Sequence, residues 1–279
     1  MMVKILDGKI VRDQVALRLK REIAALSIKP TLAIIQVGDN RESNAYIRQK
    51  KLFGEKIGAT VLHEQFLETA SEEKIIEKIN ALNHDVSVRG IIIQLPLPSS
   101  LNKERLIQAI DGKKDVDGIG KGSHTPATAR GVGELLDFYN ITVSGKKVVV
   151  IGRSQLVGAP IAKLMEERGA EVTVCYSQTK NIPSITKNSD IVIVAIGKPK
   201  FIGPEYFSGK QIVVDVGINT IEGEKLEEEI GSRKIVGDVD FEAVHGLVSA
   251  ISPVPGGVGP MTVASLFENL LGAYKNQTH

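Results

Sequence analysis

Tyr46, Lys50, Phe53 and Ile57 follow one another at spacings of four, three and four, so they share one face of a helix. Phe53 and Ile57 mark that face as the core-facing one, and a lysine is rarely buried there unless it is paired. Lys50 therefore has two readings. It snorkels past the apolar stripe to water, or it is desolvated beside the tyrosine, with its pKa lowered toward neutrality so that it can exchange protons. Two further segments carry groups suited to the same chemistry. Gly90-Ile91-Ile92-Ile93-Gln94-Leu95-Pro96-Leu97-Pro98 is an apolar strand with Gln94 at its C-terminal end, the edge where open α/β sheets bind ligands. Lys114-Asp115-Val116-Asp117-Gly118 sets carboxylates in a glycine-ended turn, either an ordinary Asp-Gly turn or part of a site.

A second group suits an anion. Lys147–Ile151, then Gly152-Arg153-Ser154-Gln155-Leu156-Val157-Gly158-Ala159-Pro160, reads as strand, glycine turn and helix start. A helix N-terminus behind a strand receives a pyrophosphate readily. The spacing is G-x-x-x-x-x-G, which fits a dinucleotide site or a plain βα turn. The next strand ends in Ser177 and Gln178, where an NAD site usually places a carboxylate for the ribose 2′-OH. That favours NADP, with Arg153 and Ser177 as ligands for its 2′-phosphate; the bland alternative for Arg153 is a solvated turn arginine. Pro253-Val254-Pro255-Gly256-Gly257-Val258-Gly259-Pro260 is a stiff, glycine-dense run that exposes backbone groups to a ligand.

These groups must be held by an alternation of short strands and amphipathic helices. Strands are expected at Thr31–Val37, Thr60–Leu67, Gly90–Leu95, Lys147–Ile151, Glu171–Tyr176, Ile191–Ile196 and Gln211–Val216. Helices are expected at Ile10–Leu26, Ser43–Ile57, Ser71–Asn83, Asn102–Ile110, Gly131–Tyr139, Val157–Arg168 and Met261–Tyr274, with Ser43, Ser71 and Asn102 as N-caps. Continuously apolar runs such as Ile191–Ile196 suit strands covered on both faces of a parallel sheet. The class is α/β, in two domains, with a boundary within Asp111–Ala129, a segment without hydrophobic period.

Composition excludes several functions. Lys and Arg number 35 against 33 Asp and Glu, a formal charge of +2, which argues against broad nucleic-acid binding. The single cysteine, Cys175, forbids an internal disulfide and fits a reducing compartment. The five histidines lie far apart, so no metal site is expected. Early charge at Lys4 and Asp7 speaks against a signal peptide. The uncharged stretch Ala243–Phe267 is broken by three prolines and is no membrane span. Gly203–Gln211 misses the P-loop spacing, Ser184-Ile185-Thr186-Lys187 lacks the companion motifs of serine acylases, and there is no G-x-S-x-G elbow.

Taken together, the segments resemble the bifunctional methylenetetrahydrofolate dehydrogenase/methenyltetrahydrofolate cyclohydrolase family. The resemblance rests on Val37-Gly38-Asp39 with Ser43-x-x-Tyr46-x-x-x-Lys50, Gln94-Leu95-Pro96-Leu97, Lys114–Gly118, Gly152-Arg153-Ser154 with Val157-Gly158-x-Pro160, Asp215-Val216-Gly217-Ile218-Asn219, Gly237-Asp238-Val239 and Pro253–Thr262. It implies two α/β domains with parallel sheets, the C-terminal one Rossmann-like, and a cleft between them. Residues 1–125 and 261–279 would form the folate-binding catalytic domain and 126–260 the NADP-binding one. It further implies oxidation of 5,10-methylenetetrahydrofolate with NADP, hydrolysis of the methenyl product to 10-formyltetrahydrofolate, and a cytoplasmic homodimer in one-carbon metabolism that serves purine biosynthesis. No nucleic acid, membrane or metal enters this picture.

The resemblance also assigns roles. Lys50 is implied as the catalytic lysine, Gln94 as its hydrogen-bond partner, Tyr46 as the ring over the pterin and Asp117 as the aspartate that binds it. Leu95, Pro255, Gly256 and Gly257 would line the folate site, and Gly152, Arg153, Ser154, Ser177 and Ile218 the cofactor site. There are departures. The stretch Ile119–Thr125 is shorter than in the family, with Pro126-Ala127-Thr128-Ala129-Arg130-Gly131 after it. Gln178 stands where the family has a lysine, and Ser252 where it has threonine.

Overall fold

The apolar runs become the central strands of two parallel sheets in the computed structural model, which describes residues 3–222 and 233–278. In chain order the elements are β1 (Lys4–Ile5), α1 (Gly8–Ala24), β2 (Thr31–Val37), α2 (Arg41–Ile57), β3 (Thr60–Phe66), α3 (Glu72–His84), β4 (Val88–Ile93) and α4 (Lys103–Gln108). There follow α5 (Ala127–Phe138), β5 (Lys147–Ile151), α6 (Gly158–Glu167), β6 (Glu171–Cys175), α7 (Ile182–Lys187), β7 (Ile191–Val194) and β8 (Ile212–Asp215). The chain ends with β9 (Asn219–Glu222), β10 (Arg233–Val236), α8 (Phe241–Val244), β11 (Ala250–Ile251) and α9 (Val258–Thr278). It divides into two compact units, Asp13–Ala127 with Val263–His279, and Met1–Arg12 with Thr128–Thr262.

In the first unit the sheet runs β3-β2-β4, all parallel. Its middle strand, β2, is buried on both faces. Leu32 and Ile34 pack with Phe53 and Ile57 of α2 and with Phe267 and Leu270 of α9. Ala33, Ile35 and Val37 pack with Ile75, Ile79, Leu106 and Ile107 of α3 and α4. Each of the larger side chains (Leu, Ile, Val, Phe) contributes about 1.5–3 kcal/mol through burial. That is why the run reads as continuously apolar.

The second unit holds a sheet in the order β1-β11-β8-β7-β5-β6, parallel throughout. Val148, Val150, Ile191, Ile193 and Val214 face one core, and Val149, Ile151, Val192, Val194 and Val213 the other. β9 and β10 form a separate antiparallel pair.

The strands at 31–37 and 147–151 match expectation to the residue, and the others shift by two residues or fewer at either end. Two expectations need correction. Of residues 1–12, assigned from sequence with the folate-binding half, the described residues 3–12 belong with the larger sheet, because β1 pairs with β11 (Lys4 opposite Ala250) and Leu6 enters that unit's core. Ser43 is not an N-cap. α2 starts two residues earlier, where Asn40 Oδ1 accepts from the backbone N–H groups of Glu42 and Ser43. Ser71 and Asn102 do cap α3 and α4. Met1, Met2 and His279 lie outside the described residues.

Candidate active site

In the first unit, α2 and the C-terminal end of β4 bring Lys50 and Gln94 together. Parallel pairing continues one residue past β4, with the Gln94 N–H donating to Ile35 O at 2.8 Å, so the glutamine is fixed by its backbone. Its side chain is equally held: Lys50 Nζ donates to Gln94 Oε1 at 2.8 Å, and Gln94 Nε2 donates to Leu95 O at 2.7 Å. Lys50 is half-buried and bonded to Gln94. Burial pushes its ammonium below the usual lysine range, opposed by the negative charge of Asp117. The carboxyl of Asp117 is pushed up by burial; Lys50 pulls it back and Asp115 adds to the rise. Burial thus disfavours the charged form of both groups, while each charge favours the other. Tyr46, one turn before Lys50, is half-buried, and burial raises its hydroxyl pKa, so it stays a phenol.

Asp115, not Asp117, builds the turn. The buried Asp115 carboxylate accepts from the N–H groups of Gly118 at 3.0 Å, Gly120 at 2.8 Å and Gly122 at 3.2 Å, which closes the short 119–125 loop onto itself. Asp117 is held through its backbone: its carbonyl accepts from the Ala127 N–H at the start of α5. The adjacent Val116 and Thr125 carbonyls both accept from Asn269 Nδ2 of α9, at 2.9 Å.

The anion group lies in the second unit. At the β5–α6 turn a Cβ on Gly158 would collide with the Gly152 carbonyl, so only glycine lets the helix start this close to the strand. Ser154 Oγ accepts from the N–H groups of Val157 and Gly158, at 3.2 and 3.3 Å. Arg153 and Ser177 are both exposed, each two residues past the end of strands paired from Lys147–Glu171 to Ile151–Cys175. Ile218, 44% exposed, precedes β9. This is a glycine cradle at the N-terminus of a ten-residue helix with an adjacent cation, which fits a pyrophosphate and a further phosphate.

Pro255, Gly256 and Gly257 lie in the same unit, directly before α9. Gly256 has φ +117°, its carbonyl accepts from Gly8 N at 2.9 Å, and Gly257 N donates to Pro253 O at 2.7 Å.

Comparison with known proteins settles the affiliation. The model of the tetrahydrofolate dehydrogenase/cyclohydrolase catalytic domain matches residues 6–117, and that of the family's NAD(P)-binding domain matches residues 126–278. The chain belongs to this family. It is 43% identical to the bifunctional protein FolD of Agathobacter rectalis over 98% of this chain and 100% of that one. Among solved structures it resembles FolD methylenetetrahydrofolate dehydrogenase/cyclohydrolase of Campylobacter jejuni, with TM-score 0.89, 39% identity and coverage of 98% and 99%. It also resembles the Trypanosoma brucei enzyme complexed with NADP cofactor and inhibitor, with TM-score 0.93, 30% identity and coverage of 99% of each chain.

Two arrangements in this family member escape sequence reasoning. A polarised chain starts at Lys51, next in sequence to Lys50: Lys51 Nζ lies 3.0 Å from His63 Nδ1, and His63 Nε2 lies 2.8 Å from Gln36 Oε1. Gln36 then donates to Asn44 Oδ1 at 2.7 Å, and Asn44 to Asp39 Oδ1 at 2.7 Å. Burial and Lys51 both hold the His63 pKa down, which suits the neutral tautomer such a chain requires. The available signal was Gln36 itself, a polar residue at the end of an apolar strand like Gln94 on the neighbouring strand.

The other arrangement is a pair of buried carboxylates in the second unit. Asp238 accepts from the N–H groups of Ile196, Gly197 and Lys198 and from Asn219 Nδ2. Asp215 accepts from those of Gly217, Asp238 and Val239, and burial pushes its pKa up to about 7. Ser252, the substitute for threonine, keeps a hydroxyl that accepts from Asp215 N at 2.8 Å. Among the described residues no group of three or more His, Cys, Asp or Glu side chains is placed to hold a metal ion. Nor is any of their helices long and apolar enough to cross a membrane.

Proposed function

We propose that this chain oxidises 5,10-methylenetetrahydrofolate with NADP and hydrolyses the 5,10-methenyl product to 10-formyltetrahydrofolate. The observation that carries the reading is the desolvated Lys50, bonded to Gln94 and facing Asp117. NADP is held by Gly152, Arg153, Ser154, Ser177 and Ile218, and when bound it supplies the hydride acceptor. For that step the residues around the folate need only align the reacting carbon, and no proton moves. Tyr46 covers the pterin ring. Asp117, whose pKa burial pushes up, binds the ring's polar edge, and Leu95 lines the folate.

The hydrolytic step needs proton transfer. As water adds to the cationic methenyl carbon, neutral Lys50 takes a proton. It returns one to the ring nitrogen as the bond between that nitrogen and the carbon breaks, and the second water proton leaves to solvent. A cationic substrate beside Lys50 favours its neutral form further. Gln94, fixed at both ends, aims the amine.

The enzyme works as a homodimer in the cytoplasm and supplies formyl groups for purine biosynthesis. The family resemblance supports this, and the lone buried cysteine, whose thiol burial pushes up, suits a reducing compartment. Light scattering tests the dimer. The activity is tested by adding methylenetetrahydrofolate with NADP or NAD and following reduced cofactor and the methenyl absorbance. Turnover with both signals is expected, and none with either cofactor overturns the reading.

A further inference from the structure

The tip of the β6–α7 turn is unusual in what it offers to a cofactor phosphate. Tyr176 N donates to Thr179 Oγ1 at 3.0 Å and Thr179 N donates to Tyr176 O at 2.8 Å, which pins the turn and leaves Ser177 and Gln178 exposed at its tip. Ladder pairing places Ile151 opposite Cys175, and Gly152 N donates to Cys175 O at 2.8 Å, so the next residues, Arg153 and Tyr176, emerge side by side. The Arg153 guanidinium lies over the half-buried Tyr176 ring, 4.1 Å from its centroid.

Stacking uses the face of the guanidinium and leaves its in-plane N–H donors at the edges, the geometry that phosphate oxygens take up. An exposed arginine ordinarily samples many rotamers, and ordering it opposes binding; a ring beneath it settles that beforehand. At the tip itself, Gln178 carries no charge. Its amide bonds a hydroxyl as readily as a phosphate oxygen.

We propose that Tyr176 is a positioning residue for cofactor choice: it holds Arg153 as a preset cation for the ribose 2′-phosphate, while neutral Gln178 keeps the preference for NADP over NAD graded rather than absolute. The inference rests on the proposed cofactor site but not on turnover. The probes are therefore adenosine 2′,5′-bisphosphate and adenosine 5′-monophosphate, titrated calorimetrically into the full chain.

Wild type binds the bisphosphate more tightly. Tyr176→Leu weakens the bisphosphate about three- to fivefold, the scale of an exposed cation–π contact, and leaves the monophosphate unchanged. Tyr176→Phe, which keeps the ring, retains wild-type discrimination, and Gln178→Lys widens it. Equal weakening of both probes by Tyr176→Leu, no change in either, or a Tyr176→Phe variant that behaves like the leucine one overturns the proposal. So does a wild type that does not discriminate. A wild type that discriminates as expected but turns over no folate removes the proposed activity alone.

Discussion

Lys50 is half-buried and Lys114 buried in the same unit, and burial lowers the pKa of each. They differ in what receives their protons. Lys114 Nζ donates to two backbone carbonyls, Leu82 O at 2.9 Å and Asp85 O at 2.7 Å, and so ties the end of α3 to the turn that carries Asp115. Lys50 donates to one side-chain amide, which is itself aimed by a backbone carbonyl, and it looks toward a carboxyl that burial makes reluctant to ionise. A buried lysine bonded to main chain is a rivet: its charge strengthens two bonds to carbonyls, and losing the proton would weaken both. One held by a single amide can give up and regain a proton with its surroundings intact.

The comparison breaks most sharply at Lys50. Lys50→Met is expected to slow hydrolysis of added methenyltetrahydrofolate by about 10²–10⁴-fold, the usual worth of a general acid–base group, with hydride transfer still measurable. Wild-type hydrolysis in that variant would remove the assigned role.

Stability should move the other way. The folded pKa of Lys50 lies below its ordinary 10.5, so the unfolded chain binds this proton more readily. Its contribution to stability therefore grows as pH rises toward 10.5 and is lost as pH falls through the folded value. Thermal melts at neutral pH are expected to show Lys50→Met at least as stable as wild type. Lys114→Met removes the donor of two carbonyls and is expected to cost about 1–3 kcal/mol, with hydrolysis per folded molecule unchanged. If Lys114→Met instead matches Lys50→Met in both readouts, the distinction between the two lysines collapses.

The smallest expected effect is at Asp117. Its charge raises the Lys50 pKa, so Asp117→Asn lowers it further and moves the acid limb of the hydrolysis pH profile to lower pH. A profile that stays put would mean the two groups are not electrically coupled.

Helical spacing was enough to set Lys50 on an apolar stripe and Gln94 at a strand's ligand-binding edge, because both features lie within a single element. Lys114 sat in plain view within a recognised motif, yet its burial was invisible, since its acceptors belong to residues about thirty positions earlier. The same holds for Asp115, whose glycine partners make it the organiser of a loop that spacing shows only as polar and irregular. β1 and β11, two residues each, are too short to leave a period in sequence, and their pairing, with Leu6 in the core, puts residues 3–12 in the other unit. The Ser43 error was local: serine and asparagine are comparable caps, and the choice fell to Asn40 because its carbonyl oxygen reaches two N–H groups at once.

Asn269 and Phe267 give the Lys50 region a history as well as a geometry. Asn269 holds the carbonyls that flank the Asp117 loop, and the Phe267 ring lies 5.3 Å from that of Phe53, one turn from Lys50. A chain leaving the ribosome carries Lys50, Gln94 and Asp117 into the open long before either residue exists. Until α9 is made, the helix that bears the lysine lacks the Phe267 ring that Phe53 packs against, and the aspartate's loop lacks its clasp. The contacts that order both elements therefore form only after the reactive residues have been made, and a variant cut before α9 lacks them.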